Sequence, residues 1–269
     1  MDMELVLALL VLGSATGFAA GLLGIGGGML LVPFLTLLFT WQKYPSELIV
    51  KMAIATSLAT ILFTSISSVR AHHQRGAVLW RVAYVLAPGI LVGSLIGAQV
   101  AGKLPTFWLS MFFAVFVGFS ASQMLLDRKP KPSRELPKGA AMFGVGSLIG
   151  IVSSIVGAGG GFLSIPFMVW SNVKIHNAVA TSAALGFPIA VAGTIGYVIA
   201  GRDVSGLPAG TLGFVYLPAL AAIAAASMLT APLGAKVAHS LDTKPLKRVF
   251  AGMLFILAGY MAYKGISAY

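Results

Sequence analysis

Four glycines, Gly24, Gly26, Gly27 and Gly28, are followed by Pro33 and Phe34, and the same arrangement returns 133 positions later as Gly157, Gly159, Gly160 and Gly161 before Pro166 and Phe167. Both clusters interrupt apolar runs of 30 or more residues, longer than one membrane crossing needs. Each glycine weakens a helix by about 1 kcal/mol relative to alanine, so the helices should unwind there. Non-helical backbone at membrane depth needs protein or water around it, which places both breaks inside the molecule. A half-helix restarting at Met29 or Phe162 would present unpaired N–H groups and the positive end of its dipole, an anion site made of backbone. Two such ends facing each other would form a central cage for a small oxyanion. Glycines also let helices pack closely. Duplication of the whole motif, with proline at the same distance, favours the binding role. A dinucleotide site is excluded, because no strand precedes the glycines and no acidic residue follows at about 20 positions.

Thr56-Ser57 and Thr181-Ser182 lie at equivalent places in otherwise apolar segments, each after an alanine, and their hydroxyls would complete the cage. The alternative for each is a bond back to its own helix. Ser153 and Ser154 have no hydroxyl counterparts at the matching first-half positions, Ala20 and Gly21, and are weaker candidates. The seven carboxylates (Asp2, Glu4, Glu47, Asp127, Glu135, Asp203 and Asp242) all fall at run edges or in loops, which argues against a proton relay of buried acids. His72, His73, His176 and His239 sit near run ends without metal-ligand spacing and read as interface residues. Lys51, near the start of its helix, either attracts anions or snorkels, and His176-Asn177 stands at the matching place in the second half. With no cysteine, thiolate metal sites and cysteine nucleophiles are excluded. No cofactor is implied, and no nucleophile is paired with a buried base as an intramembrane hydrolase would require. A channel, or an assembly partner without a substrate cycle, stays open beside a carrier.

These residues need a membrane scaffold. The chain is 58% hydrophobic and 9% charged, where a soluble domain carries about 25% charge. Apolar runs fall at 3–39, 47–69, 80–101, 106–126, 139–170, 175–200, 212–235 and 246–265. They are continuous rather than alternating, so an all-α polytopic fold is expected and a β-barrel is not. Met1-Asp2-Met3-Glu4 lacks the basic start of a signal peptide, so the first run is expected to be retained.

The net charge of +11 reads as topology signals rather than a nucleic-acid surface, because Lys and Arg lie mainly between the runs. Similarity between Gly97-Ala98 and Gly234-Ala235, and between Phe113-Ala114 and Phe250-Ala251, extends the internal match. The chain therefore divides into a first membrane repeat (1–126), a basic cytoplasmic linker (127–138) and a second membrane repeat (139–269). If each Gly-broken first segment dips in and returns, leaving three full crossings per half, the halves are inverted. Thirteen of the 18 basic residues then lie inside, whereas eight simple crossings give no bias. The expectation is two pseudo-symmetric, inverted repeats, each with a broken first segment plus three transmembrane helices.

With its duplicated Gly-rich segment before proline, its Ala-Thr-Ser helices and its basic mid-chain linker, the sequence resembles the TauE/SafE sulfite exporter family over nearly its whole length. The resemblance implies a carrier in the bacterial inner membrane, often working outward, for small sulfur-containing anions such as sulfite, thiosulfate or organosulfonates including sulfoacetate. Its partners would be that anion and the lipid bilayer, with homo-oligomerisation left open. Both anion types offer several acceptor oxygens to N–H and hydroxyl donors.

Overall fold

Apolar helices, cut where glycine and proline cluster, make up the protein. The computed structural model describes residues 3–23, 27–126, 135–237 and 243–267. Among them run ten helices: α1 (Met3–Leu23), α2 (Gly28–Trp41), α3 (Ser46–His73), α4 (Trp80–Lys103), α5 (Thr106–Leu126), α6 (Ala140–Val156), α7 (Gly161–Trp170), α8 (Ile175–Ala200), α9 (Leu217–Val237) and α10 (Thr243–Ile266). Both overlong runs split at their glycines, 3–39 into α1 and α2 and 139–170 into α6 and α7. The half-helices begin at Gly28 and Gly161, one residue earlier than expected.

Two expectations need correction. The run from 212 does not start as a helix: β1 (Thr211–Leu212) and β2 (Val215–Tyr216) form a short antiparallel hairpin before α9. Gly213 turns it with a φ of 55°, a left-handed conformation that breaks a helix and suits glycine. Among the described residues seven helices, not six, are long and apolar enough to cross a membrane: α1, α3, α4, α5, α8, α9 and α10. The 21 residues of α1 suffice for a crossing without help from α2.

The outward faces are apolar, with Leu229, Ile256 and Val115 largely exposed, as lipid contact requires. Helix α3 is central, with 78% of its apolar window buried against 39–50% for the other six spans. It packs on α8 and α9; α8 also packs on α4, α1 lies along α9, α6 along α4, and α5 along α10. The α4–α6 contact is backbone-close, since a Cβ on Gly93 would run into the Ser147 carbonyl. Residues 127–134 of the linker lie outside the described part, and 135–138 carry no regular structure.

Candidate functional site

The two glycine breaks meet at the centre. Gly24 and Gly26 lie outside the described residues. Gly27 (φ 67°) caps the start of α2, while Gly157 (φ 74°) ends α6 and Gly160 (φ 77°) precedes α7. Side chains at these positions would be strained, which accounts for glycine there. Val156 ends α6, and the N–H groups of Gly157 and Ala158 both return to the Ser153 carbonyl (2.8 and 3.0 Å). Pro33 and Pro166 occupy the sixth residue of α2 and α7 and, lacking an N–H, leave the Met29 and Phe162 carbonyls without their helical donors.

Contact between the breaks is direct. A Cβ on Gly28 would collide with the Gly157 carbonyl oxygen and stand 2.9 Å from the Ala158 Cα. Gly157 in turn packs on Val32 and Ile54, and the Ser57 hydroxyl donates to its carbonyl at 2.9 Å. The start of α2 therefore faces protein backbone. Gly161, opening α7, is also buried.

The hydroxyl pairs divide their work. The Tyr216 N–H donates to Thr56 Oγ1 and the Leu79 N–H donates to Thr181 Oγ1, both at 3.0 Å. Each threonine thus holds the backbone just before a helix of the opposite half of the chain, α9 or α4. Both are fully buried, so each satisfies a donor that would otherwise lack a partner. Ser182 accepts a bond from the Ser164 hydroxyl (2.7 Å) and faces a cleft.

That cleft contains about 380 Å³ of unfilled space, part of it open to the outside, and in this conformation is narrow enough to admit only water-sized groups. Thr64, Ser65 and Ser68 of α3, Ser182 and Gly186 of α8, and Gly159 of the second break line it, and none of the described residues lining it is charged. Of the residues singled out from sequence, Gly159 and Ser182 reach the cleft, whereas Gly27, Gly28, Thr56, Ser57, Gly157, Gly160, Gly161 and Thr181 do not line it. Thr64, Ser65 and Ser68 were not among the sequence candidates. The signal for Thr64 and Ser68 was available, because Ser57, Thr60, Thr64 and Ser68 recur at helical spacing along one side of an apolar helix, and Ser65 directly adjoins it. The Thr64 hydroxyl now donates to the Thr60 and Ile61 carbonyls and that of Ser65 to Leu62. Hydroxyl hydrogens rotate, so these groups can turn toward an acceptor in the cleft. Among the described residues no group of three or more His, Asp or Glu side chains could hold a metal ion.

A family model described as sulfite exporter TauE/SafE matches residues 9–261. The chain belongs to the TauE/SafE family. It is 34% identical over 261 residues to a probable membrane transporter protein of Haemophilus influenzae, covering 96% of this chain and 98% of that one. Probable membrane transporter proteins of Bacillus subtilis (YunE) and Methanocaldococcus jannaschii are each 26% identical, covering 96% and 94% of this chain and 97% and 94% of their own. No solved structure matches significantly. This TauE/SafE chain is accordingly a multi-pass membrane protein of a transporter family, and its relatives are named as transporters rather than enzymes.

At the hairpin end of this family member, the Lys51 ammonium lies 5.8 Å from the centre of the Phe214 ring. Tyr44 donates to the Tyr216 hydroxyl at 3.1 Å, and burial together with that bond raises the Tyr44 phenol well above its usual range. Near the other threonine, Asn177 donates to the Ala77 carbonyl at 2.9 Å. Both threonine contacts are thus flanked by a second long-range bond.

Proposed function

We propose that the protein carries small sulfur-containing anions, such as sulfite, sulfoacetate or a related organosulfonate, outward across the bacterial plasma membrane by alternating access around the central breaks. The observation that carries this reading is the hydroxyl-lined, uncharged cleft formed by Ser65, Ser68 and Ser182 against Gly159. Rotatable donors beside a helix break suit an anion with several acceptor oxygens. The inverted-repeat reading draws support from the cross-half packing. The first helix of each half lies along the fourth of the other, and the fifth helices pair with each other. Such an arrangement lets the halves rock about a shared centre, which would widen the cleft on one side at a time.

Flux of labelled sulfite and sulfoacetate into proteoliposomes tests this. Ser182→Ala and Ser65→Ala should each lower saturable flux about tenfold or more, as expected for losing a hydrogen bond to a charged ligand. Unchanged flux in both variants would move the site away from the cleft, and flux rising linearly with concentration would indicate a channel.

A further inference from the structure

We infer that in this narrow conformation the cleft is a site for a bare sodium ion, which the carrier exchanges for its anion. The exchange rests on the transport reading; binding of the cation does not. The space admits only water-sized groups, which suits a dehydrated monovalent metal ion and leaves no room for an oxyanion until the cleft widens. The polar side chains lining it are all hydroxyls, those of Thr64, Ser65, Ser68 and Ser182. Thr64 and Ser65 turn their hydrogens to carbonyls of their own helix, which leaves the oxygen lone pairs for the cleft. Reversing the Ser164–Ser182 bond gives Ser182 the same orientation. The backbone adds acceptors. Gly159 lies between α6 and α7, and its carbonyl receives no hydrogen bond from any described residue. A Cβ on Gly186 would stand 3.7 Å from that oxygen and 3.8 Å from the Ser65 Cβ, so the carbonyl and the serine approach one point. Ala20 and Gly21 also line the cleft, and both belong to the last turn of α1, where carbonyls lack helical donors and the dipole is negative. Unwound carbonyls and helix C-terminal ends are what hold sodium in transporters with broken helices.

The same lining selects the ion. Calcium and magnesium bind through carboxylates, and no described lining residue carries one, so these neutral oxygens suit a single positive charge. A proton finds no titratable side chain among them. Of the monovalent metal ions, sodium is the one that cells keep lower inside than outside, so its entry can drive export. When the cleft widens, the hydroxyls rotate and offer the anion their hydrogens in place of the lone pairs that held the cation. One site thus serves both ions in turn. Sodium entering while an anion leaves carries positive charge inward in both steps, so the membrane potential adds to the sodium gradient.

The site is tested by the Tm of the full-length protein in nanodiscs, measured without substrate in sodium chloride and in choline chloride at equal ionic strength. Sodium should raise Tm saturably by a few degrees, whereas choline is too large for the space. Thr64→Val keeps the side-chain shape and removes its oxygen, so about tenfold more sodium should be needed for the same rise, as for other contacts to a charge. Should T64V fail to assemble, Ser65→Ala gives the same test. Equal Tm in the two salts, or an undiminished sodium response in the variant, would overturn the site. Efflux of labelled sulfite and sulfoacetate from proteoliposomes then separates the two readings. An inward sodium gradient should speed saturable efflux severalfold. Efflux with no sodium effect on Tm overturns the cation site and leaves the transport reading standing. A sodium effect on Tm without efflux of either anion does the reverse, and efflux indifferent to the gradient overturns the exchange.

Discussion

The first and second glycine breaks share a motif, yet among the described residues Gly28 of the first is packed against backbone while Gly159 of the second borders open space. At the first, the backbone of Gly28 lies against the Gly157 carbonyl, with no room for a side chain. At the second, Gly159 borders the cleft and Gly160 a further hollow. The surrounding residues differ in the same sense: Ser153, Ser154 and Ser164 stand where the first half has Ala20, Gly21 and Leu31. The comparison teaches that one break can serve as the buttress for the other. The symmetric cage expected from the repeated glycines places equal donors on both sides, whereas here Thr64, Ser65 and Ser68 of the first half and Ser182 of the second gather beside the second break.

The strongest way to break this comparison is Gly28→Val. Driving a branched side chain into the Gly157 carbonyl should destabilise the protein by at least about 3 kcal/mol, seen as a large fall in Tm in detergent. A small change would mean that the breaks separate easily and that the first is no buttress. A smaller effect is expected from Thr56→Val and Thr181→Val, which keep the shape but remove the acceptors for Tyr216 and Leu79. Each should cost about 1–3 kcal/mol of stability while flux per folded molecule stays near wild type. Loss of flux at full stability would instead make the threonines substrate ligands. The smallest effect is expected from Ala20→Ser, which gives the first break the hydroxyl it lacks. Stability should stay within about 0.5 kcal/mol, because the substitution is small and borders the cleft. Binding of methanesulfonate, followed by calorimetry, should change less than about twofold, because the start of α2 is already covered. A tenfold gain would show the breaks to be interchangeable.

Much of the scaffold was legible in the residues. Continuous apolar runs require helices, since lipid leaves backbone groups no other partners, and the glycine clusters marked both breaks to within a residue. The hairpin at 211–216 was missed because Leu212, Phe214, Val215 and Tyr216 are as apolar as a helix start, and only Gly210 and Gly213 spoke against one. The cleft was half legible. Ser182 and Gly159 stood out by repetition, whereas Thr64, Ser65 and Ser68 have no repeated partners and were visible only as a stripe along α3.

By itself, then, the sequence determined class, family, helix breaks and the chemistry on offer, because hydropathy and glycine strain act within a few residues of where they are written. Tertiary structure alone decided which hydroxyl does what. Thr56 meets a backbone N–H 160 positions away and Thr181 one 102 positions away, while Ser182, of the same motif, turns to a cleft. A hydroxyl's role depends on the donor or acceptor that packing brings to it, and packing between distant helices leaves no local mark in the chain.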